Sequence, residues 1–237
     1  HKQNFYGTEK DGEYVPFASK GRGLILLYIG FSFLIPLIFL FRFAVLTPIS
    51  YFSSGLRKFV DQKMSSLNID LNYQRPQSSL GRNEGWKLQE VWAGIYGIGF
   101  IALVIFKIMP AKALFMWYCL GASLFLVNSV RTLAAHHYRN AEEGELSFTD
   151  QMLDSINNPG NRWITPLWAP VGLRFHATHH LFPDLPYHVL GKAHNRLLED
   201  HGINSLYGKT VQSGLWPSLC QLWKQAGFNN LNKGAEI

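Results

Sequence analysis

The sequence predicts an all-α membrane protein: a transmembrane helical hairpin plus one re-entrant or interfacial helical segment, capped by an extramembrane, histidine-rich helical domain, with residues 1–237 forming a single domain. Three observations carry this expectation. Apolar residues gather in three blocks, Leu24–Leu46, Val91–Met109 and Ala113–Val130. The last two are joined only by Pro110, Ala111 and Lys112. Eight of the nine histidines come after them, from Arg131 onward.

The first block has 23 residues, with Pro36 at its middle and Arg42 near its end. It is long enough to span. The next two, of 19 and 18 residues, cover a hydrocarbon layer of about 30 Å at roughly 1.5 Å per residue. Their short link forces an antiparallel pair with both open ends on one side. Between them and the first block, Thr47–Glu90 is polar and reads as an interfacial loop or short amphipathic helices. From Arg131 on, no apolar run is long enough to cross.

Composition agrees. Hydrophobic residues make up 47% of the 237 and charged residues 16%, which excludes intrinsic disorder. A mean hydropathy of -0.01 resembles that of a soluble protein, but it averages apolar blocks with polar loops. The net charge of +6, from 22 Lys and Arg against 16 Asp and Glu, is scattered. Without a basic stripe, nucleic acid is not an expected partner; the positive flanks suit anionic headgroups. Cys119 and Cys220 have no metal or redox spacing and are expected to be packing residues. No charged region followed by a short apolar run opens the chain at His1, so no signal peptide is expected.

The sharpest motif is His176-Ala177-Thr178-His179-His180. On a helix, positions i, i+3 and i+4 fall within about 100° of one face, so three imidazoles can converge on one metal. No Glu stands between the histidines as in H-E-x-x-H, which disfavours a zincin protease. The apolar blocks contain no histidine, which disfavours haem held between membrane helices. A second set, His136 and His137, follows the third block. If that helix continues, Asn128, Thr132 and His136 form one stripe, making His136 the ligand candidate and turning His137 about 100° away, toward an outer-shell or interfacial role. Asn128 is either a packing residue or a weak ligand through its carbonyl oxygen. His188 and His194 are outer-shell candidates, with a surface role equally open for His194 and favoured for His201. Pro183 and Pro186 end the helix after the motif.

The string His176-Ala-Thr-His-His-Leu-Phe-Pro-Asp-Leu-Pro-Tyr-His188 resembles the third histidine box of the membrane fatty acid desaturase superfamily. Trp168–Phe175 before it, and Val127–His136 further upstream, are similar to the family's approach to that box. His1–Pro16 resembles the stretch following the second box, which makes His1 the last histidine of an H-x-x-H-H. The resemblance implies a C-terminal part of a longer enzyme, carrying five imidazole ligands, His1, His136, His176, His179 and His180, where the family's di-iron site draws on more. The given stretch is expected to be inactive alone.

The resemblance further implies two iron ions, O2 as co-substrate and electrons from a ferredoxin or cytochrome b5-type donor, with a fatty acyl lipid or acyl-CoA as substrate. The expected reaction is desaturation of the acyl chain, and no catalytic side chain beyond the metal centre is expected. Hydroxylase or ketolase chemistry of the same superfamily is the alternative, and a non-catalytic metal-binding membrane protein is a third reading. If His1 and His176–His180 share one cluster, an even number of crossings separates them, so Leu24–Leu46 is expected to dip and return, kinked near Pro36, or to lie in the interface. Lys20 and Arg22 before it and Arg57 and Lys58 after it then put both ends, and the histidine cap, on the cytoplasmic side.

Overall fold

The computed structural model describes residues 5–8, 10–65, 69–70, 73–75, 84–141 and 144–234. His1, Asn68 and Pro76–Ser79 lie outside them. The protein is an all-α membrane protein with no strand among the described residues. Among the described residues, two helices are long and apolar enough to cross a bilayer, Gly85–Ile105 and Ala111–Leu133. A third candidate is a helix pair, Arg22–Phe31 and Ile35–Ser50, bent by 50°. The chain forms two compact units, one of Gly30–Leu126 and one of His1–Ile29 with Val127–Ile237.

In the first of these units, α3 (Ile35–Phe41) carries Pro36 in its first turn. Proline has no N–H for the Ser32 carbonyl, so the preceding helix breaks there into a turn, at the kink the sequence predicts. A π-helical turn, Arg42–Leu46, leads into α4 (Thr47–Ser50), and Ser53 caps α5 (Ser54–Lys63). Arg42 is 3% exposed and pairs with the equally buried Glu90, at 2.6 Å. Its other nitrogens donate to Thr47 Oγ1 and to the Met64 carbonyl. Arg57 takes the second Glu90 oxygen at 2.9 Å. This cluster explains why α6 (Glu84–Ile105) starts well before the expected Val91: its first polar turns are fastened to α4 and α5. α6 also stops before Met109, because Lys107 turns left-handed with φ 58°. The hairpin link is therefore 106–110 rather than 110–112, and α7 (Ala111–Leu133) begins at once. Gly94 and Gly121 allow close approach: a Cβ at either would stand 3.2 Å from Phe43 O or Pro36 Cγ.

The second unit holds the short α1 (Phe17–Lys20), the start of α2 (Arg22–Phe31), the end of α7, and α8 (Phe148–Asp154), α9 (Thr165–Trp168), α10 (His176–Leu181), α11 (Leu190–His201) and α12 (Leu215–Gly234). α1 lies along α12, where the Arg22 guanidinium covers the Trp223 ring and donates to its carbonyl. Tyr6, Tyr14, Phe17, Leu133, Tyr138, Ile156 and Leu190 form the buried core. Isolated bridges His136↔Ser155, Asn157↔Phe175 and Asn157↔Val211 stitch the segments between helices.

Candidate metal centre

α7 ends at Leu133, so the continuous helix expected to carry Asn128, Thr132 and His136 on one stripe does not exist. The backbone closes in a tight turn, with Ala134 N reaching the Val130 and Arg131 carbonyls and Ala135 N the Thr132 carbonyl. Tyr138, left-handed at φ 56°, returns its hydroxyl to the same Thr132 carbonyl at 2.7 Å. Carbonyls at a helix end need such partners. The freed chain then pairs with residues beyond α8: His137 N donates to Asp154 O and Ile156 N to Ala135 O. His136 is thereby held in an extended bridge opposite Ser155.

α10 is positioned from behind. Its Thr178 is fully buried, and Asn157 Oδ1 accepts from both the Thr178 backbone N–H and its hydroxyl. The Tyr207 hydroxyl meets Thr178 Oγ1 and His194 Nδ1, each at 2.7 Å. With its inner face pinned, α10 presents His176 and His180, one turn apart, toward His136. His176 Nε2 lies 2.9 Å from His136 Nε2 and 3.1 Å from His180 Nε2.

Behind His136, its Nδ1 stands 2.7 Å from the Tyr6 hydroxyl, which donates to Asp154 Oδ2 at 2.9 Å. A carboxylate only accepts, so the single Tyr6 proton points to Asp154 and the Tyr6 oxygen receives the Nδ1 proton of His136. That tautomer puts a lone pair on Nε2, which faces the other two imidazoles. Asp154 also accepts from Tyr14 and from the Arg139 backbone, at 3.1 and 3.0 Å. Burial pushes its carboxyl up, and these three donors oppose that. Burial pulls His136 and His176 well below the usual histidine range, and it brings His180 down to about 3 with help from the neighbouring His179. All three rings are neutral at pH 7, the form that ligates metal.

The donor set fits a metal ion. His136, His176 and His180 offer nitrogen atoms that all lie within 4.8 Å of one another. Two nitrogens bound at about 2.1 Å from one centre, at right angles, stand ~3 Å apart, which matches the two measured spacings. Neutral imidazoles suit iron, copper and zinc.

A family model described as Fatty acid desaturase matches residues 1–206. The chain belongs to the fatty acid desaturase family. A protein named Ceramide hydroxylase, from Caulobacter vibrioides (strain NA1000 / CB15N), is 37% identical to this desaturase-family chain over 240 residues, covering 97% of the chain. The chain spans 65% of that relative's length. No solved structure matches.

Within this family member, the histidines expected to act together divide. His179, on the same short helix, stands outside the group of His136, His176 and His180: its ring lies 6.2 Å from His176, 6.0 Å from His180 and 5.3 Å from Tyr187. Its buried Nδ1 has no partner among the described residues. The i, i+3 offset thus does not bring His179 to the centre shared by His136, His176 and His180. His137 is buried beside the bridge, where desolvation brings it down to about 4. Asn128 is exposed and its Oδ1 accepts from Arg131 at 2.9 Å. His188 and His201 are exposed. His194, open to a surface role in the sequence, is 2% exposed and bonded to Tyr207. Tyr6, Tyr14, Asp154, Asn157 and Tyr207 were not singled out, because no motif spacing marks residues that act on a ligand from behind.

Proposed function

We propose that the protein oxidises a methylene of a lipid acyl chain with O2 at a di-iron centre, and that the product is a hydroxylated, ceramide-like lipid. The observation that carries the metal reading is the meeting of three neutral imidazole Nε2 atoms about His176. Hydroxylation is supported by the likeness to the ceramide hydroxylase, and desaturation, the second reading, by membership of the fatty acid desaturase family. His136, His176 and His180 hold one iron, and His179 and His1 add to the set that serves two. Iron supplies oxygen activation, which acid–base side chains cannot perform on an unactivated methylene. The protein's part is to hold the Nδ1 proton of His136 through Tyr6 and Asp154, to pin α10 through Asn157 and Tyr207, and to keep the imidazoles unprotonated by burial.

In hydroxylation, a C–H bond, O2, two electrons and two protons give C–OH and water. In desaturation the same inputs remove two hydrogens from neighbouring carbons and give two waters. The electrons come from a ferredoxin or cytochrome b5-type donor, and the histidine-bearing unit faces the cytoplasm, as Lys20 and Arg22 favour. Expression of the full-length protein in a host supplied with ceramide and with simple acyl lipids, followed by mass spectrometry, tests this. A product heavier by one oxygen supports hydroxylation, one lighter by two hydrogens supports desaturation, and bound metal with no oxygen consumption leaves neither standing.

A further inference from the structure

Between the two histidine elements, residues 159–173 form a closed loop. Its neck is Asn158, whose N–H donates to Arg174 O at 2.7 Å, and the Arg174 guanidinium returns to Pro159 O. Inside, Asn161 Oδ1 accepts from Trp163 N and Ile164 N, and Thr165 O accepts from Ala169 N. The loop is ordered and two-faced. Thr165 and Ala169 are 3% and 1% exposed, whereas Trp163, Ile164, Leu167 and Val171 are 77%, 61%, 79% and 69% exposed.

Four large apolar side chains on one ordered loop are costly to leave in water. Val171 adds to this: a β-branched residue held at φ 55°, in the left-handed region, with its side chain outward. Nothing among the described residues covers them. Two features say what does. The neck is bonded to the end of a membrane span, since Asn158 Nδ2 donates at 3.0 Å to the carbonyl of Ala134, one residue after α7. Residues 155–183 contain no Asp or Glu but hold Arg162 and Arg174, the charge that suits an anionic lipid face.

We propose that the loop 159–173 is a monotopic membrane anchor, which inserts Trp163, Ile164, Leu167 and Val171 into the leaflet at which α7 ends. Trp163, under the Arg162 guanidinium at 5.4 Å, takes the interfacial level. Because Arg174 is two residues before His176, the anchor sets the depth at which α10 meets the bilayer. The inference rests on α7 crossing the membrane and not on the metal.

The test uses the protein with Cys119 and Cys220 replaced by serine, reconstituted in phosphatidylcholine–phosphatidylglycerol vesicles. An environment-sensitive fluorophore is placed on Leu167→Cys or, separately, on Trp163→Cys. Met116→Cys in α7 is the lipid reference and the exposed Lys192→Cys on α11 the water reference. The expected result is a blue-shifted emission at 167, quenching by acyl-chain spin-labelled lipid comparable to that at 116, and a several-fold lower iodide quenching constant than at 192. Iodide access equal to that at 192 overturns the proposal. So does shielding from both quenchers, which would put the loop against a protein surface.

Discussion

The Tyr6 hydroxyl lies 2.7 Å from His136 Nδ1, across 130 residues of sequence, and donates its own hydrogen bond to Asp154 Oδ2. It therefore decides which nitrogen of His136 carries the proton. Replacing Tyr6 with Phe removes that constraint and leaves His136 free to carry its proton on Nε2. Loss of such an outer partner lowers metal affinity by about 10–100-fold. A ferrous or cobaltous titration followed by absorbance, with helical content unchanged by circular dichroism, checks this; unaltered affinity would separate Tyr6 from the metal site.

The histidines should rank by where the fold puts them. In the full-length protein, His136→Ala, His176→Ala and His180→Ala each remove one of three converging nitrogens and should abolish activity and lower bound iron. His179→Ala should also abolish activity. His201→Ala, on the exposed end of α11, should leave both near wild type. Iron per chain and product yield in the same membranes are the measurements, and equal losses at His179 and His201 would mean the site is misplaced.

The Arg42–Glu90 pair predicts an asymmetry. Glu90→Leu strands a guanidinium that is 3% exposed, and breaking a buried pair in this way costs about 3–5 kcal/mol. Arg42→Met costs less, because Glu90 keeps Arg57 at 2.9 Å. The double variant should be more stable than Glu90→Leu alone, since Arg57 retains Asp61 at 2.6 Å and some access to water. Unfolding midpoints of the three variants in one detergent test the order.

His194 makes stability fall with acid. Burial, then the nearby Arg174, brings it down to about 4 in the folded protein, against ~6.5 unfolded. Between these values the unfolded chain binds the proton and the folded chain does not, so stability is full above the upper value and drains away as pH falls toward the lower one. The wild type should lose more of its unfolding midpoint over that window than His194→Gln does. Parallel curves would show that the ring titrates normally.

The two spans and the box motif were legible in the sequence because each is a local pattern: a run of apolar residues long enough for a bilayer, and histidines repeating at one helical turn. The kink near Pro36 was legible too, since proline breaks a helix through its own missing N–H. The start of α6 was not. The polar turn at 84–90 looked like loop, and it becomes helix because Glu90 is neutralised by Arg42 and Arg57 from elsewhere in the chain. His136 was found as a residue but not as a geometry, because the helix thought to carry it ends at Leu133 where the chain turns to pair with 154–156.

By itself, then, the sequence determined an all-helical membrane protein with a histidine-rich segment beyond its hairpin, because hydropathy and helical periodicity act over a few turns. Only the tertiary structure decided that His136 joins His176 and His180 while His179 does not, and that Tyr6 and Asp154 stand behind them. Those relations depend on how a short helix is pinned by Asn157 and on the group to which a buried hydroxyl donates its hydrogen bond. Both are settled by packing between residues far apart in the chain.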